Sequence, residues 1–235
     1  METLRLFPIF SQGFDLQTEL PFFLGLFSTA TLTEKPGHIL ADIPYDGGAL
    51  DFRIDMTADK QHPFKYHVVN GQKVVIGGDI GQIAVTASSG SATITALTAT
   101  GLHAPVTTFL HDLLGGNTGK ALVDLAKPGP ITVKPAGATD GMGGDILYVP
   151  SVHALFDLRG VPGHELVELK AGDKVELSDE KFANLNAIRH DLASDGHGGW
   201  LLALPNDTVN SIDLELANGH SLTKAQAISH LILDA

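Results

Sequence analysis

The sequence predicts an α+β fold: a strongly curved antiparallel β-sheet with helices packed on one face, followed by a mostly β carboxyl-terminal module. Period-two apolar alternation fills residues 39–100, and helical periodicity brackets that stretch on both sides. A run dense in Pro and Gly then separates it from a second set of short strands. Helices and strands that are segregated in this way point away from alternating βαβ units.

The first element is an amphipathic helix over residues 17–30 (QTELPFFLGLFSTA), with Pro21 in a first turn where its missing N–H costs nothing. ALDFRIDMT, FKYHVVNG, KVVIGG, IGQIAVTA and SATITALTAT then alternate, which predicts a meander of five or six antiparallel strands. Asn70-Gly71 is the strongest hairpin signal, because both residues accept positive φ. PVTTFLHDLLGG sets Val106, Phe109, Leu110, Leu113 and Leu114 on one helical face and stops at Gly115-Gly116. A second short helix over 119–126 ends at Pro128.

The Pro/Gly-rich run, KPGPITVKPAGATDGMGGD, predicts a boundary between a domain of residues 1–134 and one of residues 135–235. Beyond it DILYVP, HELVEL and DKVELS read as strands. DEKFANLNAIRHDLAS reads as a helix with Phe182, Leu185, Ile188 and Leu192 inward, and with Asp179 and Glu180 at its positive end. WLLALP and VNSIDLEL form a predicted strand pair, and Thr223 and Gln226 have the spacing of a capping box before the last helix.

Composition excludes several chemistries. The chain of 235 residues has no cysteine, so disulfides, thiolate zinc sites, iron–sulfur clusters and cysteine nucleophiles are ruled out. A net charge of −12 repels phosphate backbones and anionic membranes, which argues against a nucleic-acid partner. No apolar run reaches the roughly 18 residues of a membrane span, so no membrane insertion is expected. METLRLFPIF does not read as a secretory leader.

Catalytic motifs are missing as well. There is no Gly-x-Ser-x-Gly elbow and no His-Glu-x-x-His; His164-Glu165 lacks the second histidine one turn on. The chain therefore reads as a non-enzyme, the alternative being a hydrolase whose site assembles from distant residues. Its eleven histidines are dispersed: His62 and His67 lie on either side of a strand start, and His190 and His197 flank a Gly-rich turn. DGMGGDILY, residues 140–148, nearly fits one nonapeptide of the calcium β-roll, with Gly141, Gly143 and Asp145 in place and Leu147 inward. Calcium is thus a possible ligand, although a β-roll completes its sites by stacking repeats and only one copy is present.

At the carboxyl end GGDILYV, PGHELVELKAGDKVELS, FANLNAIRHDLASDGHGGWLLAL and SLTKAQAISHLIL, in that order, resemble the terminal module of RTX proteins. The resemblance implies export by the type I secretion machinery, an uncleaved carboxyl-terminal signal and an extracellular location.

The amino-terminal part resembles the HasA-type hemophores, secreted proteins that capture haem for an outer-membrane receptor. Four segments carry the likeness in order: GFDLQTELPFFLGLFSTATLTEKPGH, YDGGALDFRIDM, FKYHVVNGQKVVIGGDIGQIAV and FLHDLLGGNTGKALVDL. The resemblance implies haem as cofactor, with His38, in a loop, and Tyr66 as the metal ligands. The family keeps a histidine eight residues after the tyrosine to take the phenol proton; Val74 stands there. A phenol, with a pKa of about 10, binds ferric iron as phenolate and so needs a neighbouring base. His67 points to the opposite face of a regular strand from Tyr66, whereas His62 could approach. The competing reading is a secreted surface or matrix protein on the same scaffold that binds no cofactor.

Overall fold

The computed structural model describes residues 3–6, 22, 25–45, 50–90, 92–125, 131–135, 145–149, 153–159, 161, 163–178, 182–204 and 210–233. The fold is α+β and mostly β. The chain divides into two compact units, with the main change-over between Ile131 and Thr132. The first unit is residues 1–5, 19–131 and 150–152; the second is residues 6–18, 132–149 and 153–235.

In the first unit β1 (Thr3–Leu6) neighbours β8 (Ala92–Pro105), and the order continues through β7 (Asp79–Ser89), β4 (Leu50–Ala58) and β3 (His38–Tyr45) to β2 (Thr31–Lys35). From β8 to β2 every pairing is antiparallel, as the alternation predicts. Ile39, Ala41 and Ile43, Phe52, Ile54 and Met56, and Ile80, Ile83 and Val85 form its buried face. Asp42, Arg53, Asp55 and Thr57 alternate with them, and Asp42 and Arg53 pair at 2.6 Å. Two helices, α1 (Val106–Leu114) and α2 (Thr118–Leu125), pack on each other and on β8. Val106, Phe109 and Leu113 of α1 are buried, as the spacing predicts, whereas Leu110 is half-buried and Leu114, at the helix end, is 52% exposed.

A separate two-stranded ribbon joins β4 to β7: β5 (Lys65–Val69) and β6 (Gln72–Gly77). Val69 pairs with Gln72 across Asn70 (φ 50°) and Gly71 (φ 80°), so the expected two-residue turn with positive φ at both positions is formed.

The expected helix over 17–30 falls mostly outside the described residues; within them Phe22, Gly25 and Leu26 are α-helical and Phe27–Thr29 is a 3-10 turn that buries Phe27. The strand β2 that follows was not expected. It is an exposed edge strand, TLTEK, whose one apolar residue, Leu32, gives no alternation to betray it.

The second unit combines parallel pairs with an antiparallel set, β14–β15–β16 (Leu192–Ser194, Trp200–Ala203 and Ser211–Leu216). β10 (Ile146–Leu147), β12 (His164–Leu169) and β16 (Ser211–Leu216) pair in parallel in one sheet. β11 (Ala154–Asp157), β13 (Lys174–Leu177) and β17 (Leu231–Leu233) do so as neighbours in another, with β9 (Ile131–Lys134) beside β11. Successive strands from β10 to β13 thus alternate between two sheets, and Ile146 meets Leu166 in the next pass of the same sheet. Leu147, Phe156, Val167, Val175, Leu177 and Leu214 are nearly fully buried. Asp157 is buried too, held by Arg159 at 2.7 and 2.9 Å and by Lys134 at 2.8 Å.

The helix expected over DEKFANLNAIRHDLAS is shorter than its periodicity suggests. As α3 it spans Leu185–Asp191, capped by the Asn184 side chain on the Ala187 N–H. Leu192 leaves the helix because it pairs with Leu202, joining β14 (Leu192–Ser194) to β15 (Trp200–Ala203). Phe182 is buried ahead of the helix, and Asp179 and Glu180 lie outside the described residues. The strand pair of β15 and β16 forms as expected. So does the capping box of Thr223 and Gln226 on α4 (Lys224–His230).

Candidate functional site

β2 and β3 are joined by a tight turn at Pro36-Gly37, with Gly37 at φ 75°. Tyr66 sends its hydroxyl to this turn: it donates to the Lys35 carbonyl at 2.8 Å and accepts the Gly37 N–H at 3.2 Å. The Val75 N–H donates to Glu34 Oε1 at 3.3 Å, a second tie between the ribbon and the hairpin. Both partners of the phenol are backbone groups, so the arrangement depends on the hairpin's path and not on the identity of nearby side chains.

His38 does not lie in a loop. It opens β3, opposite Lys35 on one side and Thr57 on the other. Its Nδ1 is 2.9 Å from Asp55 Oδ1 and 3.4 Å from Thr57 Oγ1. Leu40 is the residue directly opposite Asp55, so the contact is the diagonal one that same-face neighbours two residues apart can make. A hydrogen bond from Nδ1 to the carboxylate would leave the Nε2 lone pair for a ligand, as in carboxylate–histidine–metal arrangements. The structure therefore brings the Tyr66 hydroxyl to the residue immediately before His38 and sets Asp55 beside the His38 ring.

Position 74 has a different neighbour from the one the phenol would require. Val74 faces His67 across the ribbon, while Val75 faces Tyr66. No side chain at 74 is positioned across the rung from Tyr66, and the Lys35 carbonyl accepts the phenol proton. The ribbon also carries apolar surface: Val68, Val69, Val74 and Ile76 are 58, 47, 40 and 58% exposed.

The second unit collects carboxylates that sequence spacing did not single out. Asp195, Asp213 and Glu215 place one oxygen each within 4.8 Å of one another. Asp213 and Glu215 share a face of β16 because they are two residues apart. Asp195 Oδ1 accepts the N–H groups of His197, Gly198 and Gly199 at 2.7, 3.0 and 3.0 Å. Burial acts to raise the Asp195 carboxyl, but those donors outweigh it and hold it below the ordinary range. Burial, and after it the Asp195 charge, pushes Asp213 up; burial and then Asp213 do the same to Glu215. An all-oxygen set of this kind suits a hard cation such as calcium.

Asp145, the acidic residue of the nonapeptide-like segment, is fully buried, and Leu147 is inward as expected. The Asp145 N–H donates to Glu165 Oε2 at 2.8 Å. Glu165 is 2% exposed, its Oε1 has no hydrogen-bond partner among the described residues, and burial followed by the Asp145 charge pushes its carboxyl up to about 8. Residues 140–144, including Gly141 and Gly143, lie outside the described residues.

No protein-family model, no curated protein and no solved structure matches the chain. The reading of the site thus rests on its own chemistry. No helix among the described residues is long and apolar enough to cross a membrane.

Proposed function

We propose that this chain is a non-enzymatic, secreted haem-binding protein in which His38 and Tyr66 hold ferric iron. The observation that carries the reading is the His38–Asp55 contact at 2.9 Å, which leaves Nε2 for a metal, one hairpin turn from the Tyr66 hydroxyl. An imidazole nitrogen and a phenol oxygen fit ferric iron, and the exposed valines and isoleucine of the β5–β6 ribbon are apolar enough to cover a porphyrin.

Haem would supply the iron that the receptor-bound cargo consists of, with no turnover on the protein. The chain's own residues do the rest. Asp55 holds the His38 ring through Nδ1, which leaves Nε2 as the atom to face iron. Gly37 N–H, already donating to the Tyr66 oxygen, stabilises a phenolate there; the Lys35 carbonyl, which accepts from the neutral phenol, does not.

Export by type I secretion and delivery to an outer-membrane receptor belong to the same proposal. The parallel strands of the second unit, alternating between two sheets, support an RTX-like module in that role. A cofactor-free surface protein is favoured by one feature: the phenol has both its hydrogen bonds made within the protein, as a purely structural tyrosine would.

An absorption titration of the full chain with ferric haem separates the two. Saturation near one equivalent, with a shifted Soret band weakened in His38→Ala and lost in Tyr66→Ala, supports haem capture. No saturable band, or a band indifferent to both substitutions, overturns it.

A further inference from the structure

The sequence contains two Asn-Gly pairs, Asn70-Gly71 and Asn218-Gly219. An asparagine followed by glycine is open to attack on its side-chain amide carbon by the next main-chain nitrogen, because glycine has no Cβ to crowd that nitrogen. By sequence the two pairs are equivalent. Their surroundings in the fold are not.

In Asn218-Gly219 both reacting groups are tied. Asn218 Oδ1 accepts the His220 N–H at 3.0 Å, and the Gly219 N–H donates to the Leu216 carbonyl at 2.9 Å. Attack there requires both hydrogen bonds to break first. In Asn70-Gly71 neither the side-chain amide nor the Gly71 N–H has a hydrogen-bond partner among the described residues. Both residues are exposed, and a Cβ on Gly71 would meet nothing within 4 Å, so the approach to its nitrogen is open.

The build of the ribbon frees its tip further. β5 and β6 form a sheet of only two strands, which is marginal by itself. The ties to the β2–β3 hairpin come from the Tyr66 hydroxyl and the Val75 N–H, at the base of the ribbon, whereas Val68, Val69 and Lys73 nearer the tip are exposed. Local opening of the last rung, Val69 with Gln72, lets Asn70 leave its φ of 50° for the geometry that brings the Gly71 nitrogen onto its Cγ. The turn itself creates the hazard: positive φ at both positions selects Asn followed by Gly.

We propose that Asn70 is a site of spontaneous covalent modification, converted in the folded chain to aspartate and isoaspartate through a cyclic imide. The Gly71 nitrogen loses its proton and bonds to Asn70 Cγ, and the side-chain NH2 departs with that proton as ammonia. Water then adds to one of the two imide carbonyls and breaks its C–N bond. Opening at Cγ leaves aspartate. Opening at the main-chain carbonyl leaves isoaspartate, in which the chain runs through Cβ and Cγ. Nothing is oxidised or reduced.

Either product adds a negative charge at the tip, but their structural consequences differ. Aspartate accepts positive φ, so the turn survives. Isoaspartate lengthens the main chain by one atom, and a two-residue turn of fixed register has no room for it, so the ribbon opens from its tip. The proposal is independent of the haem reading, since neither Asn70 nor Gly71 enters it.

The test is incubation of the full chain in mildly alkaline buffer made with heavy-oxygen water, followed by peptide mapping with fragmentation that separates aspartate from isoaspartate. In the folded chain Asn70 should be converted about tenfold or more faster than Asn218, the effect of two hydrogen bonds that must break before attack. In denaturant, where sequence alone sets the rate, the two should react alike. Amide hydrogen exchange across β5 and β6 should quicken in the isoaspartate form and not in Asn70→Asp. Equal conversion of Asn70 and Asn218 in the folded chain, or an Asn70 that stays intact while the denatured chain reacts, would overturn the proposal.

Discussion

His38 Nδ1 and Asp55 Oδ1 are 2.9 Å apart on neighbouring strands, although the two residues are seventeen apart in sequence. In the haem-binding proposal, that contact is what would prepare His38 to bind iron. Asp55→Asn keeps the shape of the pair and removes the charge. Haem affinity is expected to fall about tenfold or more, the usual cost of losing such a partner, with the folded structure intact. Equilibrium titration against the parent protein measures it, and an unchanged affinity would remove Asp55 from the site.

Tyr66→Phe deletes a hydroxyl that both donates to Lys35 and accepts from Gly37. The chain should lose about 1 kcal/mol of stability, since one net hydrogen bond of this kind contributes about that much. Denaturant unfolding of the haem-free protein reads it. No loss would mean that the ribbon is fastened to the hairpin by other contacts, such as Val75 on Glu34.

Glu165 sets a pH dependence of known sign. Its carboxyl is raised in the folded chain to about 8 from an ordinary 4.5, so the folded state holds a proton that the unfolded chain releases. The stability this confers is complete below about 4.5 and is lost as pH rises toward about 8, at up to about 1.4 kcal/mol per unit. Glu165→Gln should flatten that slope across neutral pH. Melting temperatures measured from pH 5 to about 8.5 in both proteins test it, and parallel curves would contradict it.

Asp157 behaves in the opposite sense. The Arg159 hydrogen bonds come first, and with Lys134 they hold its carboxyl well below the usual range. Its contribution is present above the ordinary aspartate range and is lost as pH falls below it. Asp157→Asn should destabilise the chain by about 2 kcal/mol, below the figure for a wholly buried pair because Arg159 and Lys134 are 36 and 35% exposed. Acid unfolding should also become less steep.

Much of the first unit was legible because its strands are half-buried, so their alternation is written in the sequence from Phe52-Ile54-Met56 to Ile83-Val85. Asn70-Gly71 announced its own turn. β2 was hidden by being an exposed edge, and the end of α3 by the pairing of Leu192 with Leu202, which overrides a helical periodicity that runs on to that residue. The parallel pairing of the second unit was invisible, since period-two alternation does not encode strand direction. His38 and Tyr66 could be named from the family likeness alone. Asp55 could not, because strand pairing brings it to His38.

The most direct test of haem capture by His38 and Tyr66 is resonance Raman spectroscopy of the ferric-haem complex. An iron–phenolate mode, present in the parent chain and absent from Tyr66→Phe, is the expected result. A complex whose spectrum is the same in both would contradict it.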